Sequence, residues 1–303
     1  MRQIVLEEPY KFVERQAPAP GCEPGKALVR IRSVGICGSD FHAFHGRQPA
    51  YTYPRVVGHE ISGVVLEIPE NDKGIVAGDR CAIEPYIACG HCIPCRLDRY
   101  NCCESLRLFG LHVDGGMQPL LNVPLHLLHK SETMTLDELA LVETLGVGAH
   151  AVKRSKLKDD ETALIVGAGP IGMAVTQFAM ATGASVRVVE KSELRRDIVK
   201  GLGVEVLEEP DDRLYNVVFD ATGVAGVMSK SLNLVNPAGR LVFAGVCPDD
   251  IPINDPLLHK REITLLATRN SCNQFPRIIR MIEQGRIDTS PWVTHRIALA
   301  DVP

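Results

Sequence analysis

Thr162-Ala163-Leu164-Ile165-Val166-Gly167-Ala168-Gly169-Pro170-Ile171-Gly172 runs from an apolar, β-branched stretch straight into three spaced glycines. The first five residues read as a buried strand, and Met173 to Thr182 as the helix that follows. This is the context in which Gly-x-Gly-x-x-Gly carries meaning. Gly167 permits the tight turn, Gly169 lets a pyrophosphate approach the backbone, and Gly172 permits close packing of helix on strand. Pro170 and Ile171 stand in the glycine turn ahead of the helix, whose N-terminus offers free N–H groups to the phosphates. A second strand, Ser185 to Val189, ends at Glu190, eighteen residues after Gly172. An acidic residue there accepts from both ribose hydroxyls and repels a 2′-phosphate, which favours NAD over NADP. Lys191, Arg195 and Arg196 stand close by and temper that preference.

Outward from this unit, Asn216–Asp220, Arg240–Val246 and Glu262–Ala267 read as further strands with helical segments between them. Such alternation predicts an open parallel sheet with helices on both faces. Asp220 and Thr222-Gly223 then fall at the C-terminal end of a strand, where ligands bind in such sheets. Upstream, residues 1 to about 80 read as short strands and turns. Val29-Arg30-Ile31-Arg32 alternates apolar with charged, and the frequent glycines and prolines suggest a compact antiparallel domain, barrel-like in kind. Leu136 to Ala149 reads as an amphipathic helix, and the charged run Lys153 to Asp160 as a solvated linker region near 146–160.

Two clusters of metal-ligand residue types stand in the N-terminal half. Cys89-Gly-His-Cys92-Ile-Pro-Cys95 followed by Cys102-Cys103 is the pattern of a closed, all-cysteine structural zinc site. Spacing alone leaves the fourth ligand open between Cys102 and Cys103. Cys37, in Gly35-Ile36-Cys37-Gly38-Ser39-Asp40-Phe41-His42, and His59-Glu60, in Val56-Val57-Gly58-His59-Glu60-Ile61-Ser62-Gly63, form the second. A thiolate, an imidazole and a carboxylate are the ligand set of a catalytic zinc with an open position. Neighbouring strand residues point to opposite faces, so His59 and Glu60 can share a metal only at a turn or bulge, which Gly58 allows. Glu143 sits among apolar helix neighbours; it is paired or metal-bound if buried, and a solvated helix residue otherwise.

The chain has 303 residues, a length that favours two domains, and a net charge of -4, which gives no case for nucleic acid or an anionic membrane. No run approaches the length of a membrane span, and the N-terminus lacks a secretory core. The ten cysteines are therefore expected to be reduced, in a cytoplasmic protein.

The glycine motif, Gly58-His59-Glu60, Gly-Ile-Cys37-Gly-Ser39-Asp-Phe-His42 and the four-cysteine lobe, in this order, resemble the zinc-dependent medium-chain alcohol and polyol dehydrogenases. The resemblance covers nearly the whole chain. It implies a GroES-like β-barrel catalytic domain over 1–148, with the structural zinc lobe at about 85–110. It also implies a Rossmann NAD-binding domain over 149–288 and a return segment over 289–303 that looks truncated, since members of the family run further. It places the catalytic zinc on Cys37, His59 and Glu60, with Glu143 at or beside it. The structural zinc falls on Cys89, Cys92, Cys95 and Cys103, and the proton relay on Ser39 and His42. NAD falls on Gly167, Gly169, Pro170, Ile171, Gly172, Glu190, Arg195 and Thr222. The family mostly has aspartate where Glu190 stands, and Glu-Pro-Leu where this chain has Glu143-Thr144-Leu145. The implied reaction is NAD-linked oxidation of a secondary alcohol of a polyol, sugar or sugar acid, in a homodimer or homotetramer with two zincs per chain. L-threonine is the alternative substrate, and a non-catalytic NAD(P)H-binding relative is the alternative of another class.

Overall fold

The computed structural model describes residues 1–302. The chain divides into two compact units, Met1–Glu143 with Phe275–Glu283 and Trp292–Pro303, and Thr144–Gln274 with Gln284–Pro291.

The first unit is antiparallel β. Its main sheet runs in the order Leu128–Lys130, Arg80–Ile83, Glu60–Glu67, Lys26–Gly35, Leu120–Pro124. The alternation read at Val29 to Arg32 is seen directly, with Val29 buried and Arg30 exposed. Ala27, Val29, Ile61, Val65, Ile83 and Val123 meet in one apolar core. A smaller sheet pairs Arg2–Glu8 with Lys11–Gln16 and with Arg55–Val56. The strand pair Tyr86–Ile87 and Arg107–Leu108 forms the base of a lobe that carries the cysteine cluster. Helix Phe275–Glu283 belongs to this unit. Its buried side holds Phe275, Ile278 and Ile279, and the Phe275 ring lies 5.0 Å from that of His129.

The second unit is a six-stranded parallel sheet in the order Glu205–Leu207, Ser185–Val189, Thr162–Val166, Tyr215–Asp220, Val235–Phe243, Thr264–Ala267. Counted within the unit this is 3-2-1-4-5-6, the doubly wound dinucleotide-binding order. Its central strands are apolar and buried over Ala163–Val166 and Val217–Phe219, as expected where helices cover both faces.

Several spans differ from the sequence reading. The helix read as Leu136–Ala149 continues to Ser155, so the charged Lys153 and Arg154 close its last turn rather than begin a linker. Cations there complement the helix dipole. The units also differ from the spans 1–148, 149–288 and 289–303, since Phe275–Glu283 leaves the nucleotide-binding unit and Gln284–Pro291 returns to it. Strand Glu205–Leu207 is an addition.

Candidate active site

Cys37 stands at the N-cap of the short helix Gly38–Phe44. Asp40, three residues on, accepts the Cys37 N–H at 2.9 Å, the reciprocal bond of a capping box. This fixes the turn that presents the thiol. His59 lies in the loop just before strand Glu60–Glu67, after Gly58 at φ +95. A side chain at Gly58 would be strained in φ and would meet Val34 at 2.6 Å. Glu60 opens the strand, paired with Gly35. Its carboxylate lies over that glycine, where a Cβ would stand 1.9 Å from Oε2. Donor atoms of Cys37, His59 and Glu60 consequently lie within 4.8 Å of one another. His59 and Glu60 are buried.

The site's electrostatics call for a cation. Burial disfavours charge on His59, but a hydrogen bond with Cys37 and the carboxylates of Asp40 and Glu143 outweigh it and raise its pKa well above the ordinary value. Desolvation raises the pKa of Asp40 and of Glu143. His59 Nδ1 and Asp40 Oδ1 face each other at 3.7 Å, both buried with no hydrogen-bond partner. A metal-binding histidine turns its other ring nitrogen to a carboxylate in this way, which leaves Nε2 for the metal. Sulfur, imidazole and carboxylate donors fit zinc. Asp40 was not singled out by sequence reading; its place three residues after a candidate ligand at a helix start was the available signal.

Ser39 Oγ lies 3.5 Å from His59 Nε2. His42 is exposed, one turn further along the same helix. Glu143 is buried, which removes the solvated reading. It is not among the three clustered donors; its Oε1 accepts a hydrogen bond from the Tyr86 hydroxyl.

In the lobe, the sulfurs of Cys89, Cys92, Cys95 and Cys103 cluster within 4.8 Å. Cys102 is exposed and outside the set. Sulfur separations of 3.4 Å for Cys92–Cys95 and 4.0 Å for Cys89–Cys95 exceed any disulfide. They bracket the roughly 3.8 Å expected for thiolates tetrahedral about zinc with Zn–S bonds of about 2.3 Å. Backbone N–H groups of Cys89 and Cys92 point at Cys103 and Cys89 sulfurs. Tyr100 in the lobe donates to Glu84 at 2.6 Å, and Glu84 also holds His129 of the main sheet at 2.9 Å.

In the second unit, Gly167 has φ +92, and a Cβ on Gly172 would meet the Gly167 carbonyl oxygen at 1.8 Å. Gly169, the N-cap of helix Pro170–Met180, has open space on its Cβ side, room for a pyrophosphate against the backbone. Pro170 and Ile171 form the helix's first turn. Glu190 lies at the end of its strand, buried, with its carboxylate accepting from the N–H groups of Ala168 at 2.7 Å and Ser192 at 2.8 Å. Arg195 is exposed, 4.0 Å from that carboxylate. Thr222 gives its N–H and hydroxyl to buried Asp220.

The alcohol dehydrogenase GroES-like domain family matches residues 23–133, and the zinc-binding dehydrogenase family matches residues 170–284. L-galactonate-5-dehydrogenase of Escherichia coli K12 is 35% identical over 99% of this chain and 92% of its own length. The chain belongs to the zinc-dependent medium-chain alcohol and polyol dehydrogenase family. A putative zinc-binding dehydrogenase from Sinorhizobium meliloti bound to NADP superposes with TM-score 0.93 at 28% identity, covering 100% of this chain and 94% of that one. A short chain alcohol dehydrogenase from Escherichia coli CFT073 complexed with NADH gives 0.91 at 27%, covering 99% and 92%. As a member of this dehydrogenase family the protein is an oxidoreductase that uses zinc and a nicotinamide dinucleotide. No helix among the described residues is long and apolar enough to cross a membrane.

Proposed function

We propose that the protein oxidises a secondary alcohol of a sugar acid, sugar or polyol, transferring hydride to NAD. The observation that carries this is the three-donor cluster of Cys37, His59 and Glu60, with Ser39 beside it. Bound zinc supplies Lewis acidity to a substrate hydroxyl, and the nicotinamide supplies the hydride acceptor. Cys37, His59 and Glu60 hold the metal, and Asp40 orients His59. Ser39 would accept the hydroxyl proton while passing its own through the nicotinamide ribose towards His42, which at the helix surface releases a proton to solvent, a task for which imidazole is suited near neutral pH. Glu143 adds a buried negative charge next to His59. The four cysteines Cys89, Cys92, Cys95 and Cys103 hold a second, structural zinc.

The substrate class is supported by relatives that act on L-galactonate, 2-dehydro-3-deoxy-L-galactonate and L-idonate, at 35, 32 and 31% identity. An L-threonine 3-dehydrogenase is 29% identical, so threonine is the weaker reading. The intact donor sets oppose a non-catalytic role. Glu190, by its charge, disfavours a 2′-phosphate and favours NAD. A homodimer or homotetramer is supported by strand Thr264–Ala267, which ends the six-stranded sheet with Leu265 39% exposed and one edge of its backbone unpaired. Ten free cysteines agree with a reducing cytoplasm.

The test is a panel of sugar acids, polyols and L-threonine with NAD and NADP, following reduced nicotinamide. Turnover of sugar acids or polyols is expected, fastest with NAD. Turnover of L-threonine alone, or of nothing by zinc-replete protein, would overturn the proposal.

A further inference from the structure

Glu143 is a carboxylate in an apolar helix segment, 6% exposed. A buried carboxylate needs a donor or a cation. Tyr86 is the one hydrogen-bond donor to its side chain among the described residues. The other favourable partner would be the cation that Cys37, His59 and Glu60 are built to hold; Glu143 lies near enough to His59 for the two to interact electrostatically, without belonging to the three clustered donors. Two partners therefore compete for one carboxylate. They differ in mobility. Tyr86 is 1% exposed and is locked in the strand pair with Leu108 at the base of the four-cysteine lobe. Cys89, the first ligand of that lobe, follows three residues later. The tyrosine is thus a fixed post, whereas a glutamate side chain has rotamers to explore.

We propose that Tyr86 is a positioning residue that holds Glu143 outside the metal's ligand set, so that its hydroxyl determines whether the glutamate enters coordination. This rests on the reading of Cys37, His59 and Glu60 as metal ligands. While Tyr86 donates, Glu143 contributes charge to the site and leaves the metal's open position to substrate. Without the donor, the carboxylate would be free to turn to the bound cation and take that position.

The experiment uses full-length protein loaded with cobalt(II) in place of zinc, with Cys37→Ser as the reference for signal from the lobe. Visible spectra and the rate of metal release to a chelator are measured for wild type, Tyr86→Phe, Glu143→Gln and the double variant. In Tyr86→Phe the cobalt bands should shift, as they do when a carboxylate replaces water in the ligand set. Release should slow about tenfold or more, the scale on which outer-shell partners tune metal affinity. Glu143→Gln alone should leave the wild-type spectrum in place, and adding it to Tyr86→Phe should restore that spectrum. An unchanged Tyr86→Phe spectrum, or a change that persists in the double variant, overturns the proposal, since a merely structural effect would not depend on the carboxylate. If Tyr86→Phe does not fold, Glu143→Gln still decides. A wild-type-like spectrum supports the latch, and a loss of coordination shows that Glu143 was a ligand all along. Cobalt uptake by the lobe alone would overturn the three-donor reading, and the latch with it.

Discussion

Gly35→Ala is a one-methyl perturbation aimed at the metal site from a residue with no chemistry of its own. Gly35 lies on strand Lys26–Gly35 and pairs with Glu60, and its backbone is not in the left-handed region, so alanine fits its conformation. The added Cβ would stand 1.9 Å from Glu60 Oε2 and 2.9 Å from Glu60 Cβ, where real Cβ contacts essentially never fall under 3.0 Å. The carboxylate must retreat by about 1 Å, a misplacement that costs on the order of a hundredfold in kcat/KM at a reacting centre. Crowding of this kind costs a further 1–3 kcal/mol or so of stability. Gly38→Ala is the control, because its Cβ meets nothing within 4 Å. Metal analysis, kcat/KM on the best substrate and thermal unfolding are measured on both variants. The expected result is loss of one of two zincs or of most activity in Gly35→Ala, with zinc content kept in Gly38→Ala. Full zinc content and wild-type kcat/KM in Gly35→Ala would refute the placement of Glu60 in the site.

Three other outcomes follow from the same geometry. Cys103→Ala should lower zinc content by one and the unfolding temperature with it, because a closed zinc site contributes directly to folding; Cys102→Ala, exposed and outside the cluster, should stay within about 0.5 kcal/mol of wild type. Hydrogen bonds from Arg187 hold the Glu205 and Asp211 carboxyls below their ordinary values of 4.5 and 3.8. Their contribution is therefore present above those values and lost as pH falls through the depressed ones, so Arg187→Gln should be less stable than wild type near neutrality, with the gap closing in unfolding scans below about pH 4. Glu190→Ala should narrow the ratio of kcat/KM for NAD over NADP by about tenfold, the size of one or two lost hydrogen bonds; an unchanged ratio would show that Glu190 serves the Ala168 turn rather than the ribose.

What was legible in the sequence was local. The glycine turn and the cysteine spacing each lie within a dozen or so residues, and each demands residue types that few other structures need. Strand Glu205–Leu207 was not legible, because three residues beside Glu208-Glu209-Pro210 carry no periodicity. Its register sets Glu205 opposite Arg187, which sits buried in strand Ser185–Val189 and donates to both Glu205 and Asp211. Tyr86 gave no signal either. Its importance comes from Glu143, 57 residues away in the chain, and no window around Glu84-Pro85-Tyr86 contains that partner. The end of helix Leu136–Ser155 was missed because charged residues after an apolar stretch look like a solvated loop, although at a helix C-terminus they are favourable.

The metal cluster shows how a ladder carries information that spacing does not. Val34 pairs with Ile61 and Gly35 with Glu60. In an antiparallel pair, the chain leaving one strand runs alongside the chain entering the other. Residues beyond Gly35 therefore track those before Glu60, and Cys37, two places past Gly35, comes level with Gly58, two places before Glu60. His59 stands between Gly58 and Glu60. The register of one hairpin-like crossing thus brings together ligands more than twenty residues apart, with the pair of glycines giving room on either side: Gly35 under the Glu60 carboxylate, Gly58 at the bend that turns His59 in. A slip of one residue would move Glu60 to the other face of the sheet and set its side chain against Val34 instead of a glycine. The site is as well specified as that register, which the buried core of Val29, Ile61 and Val65 holds in place.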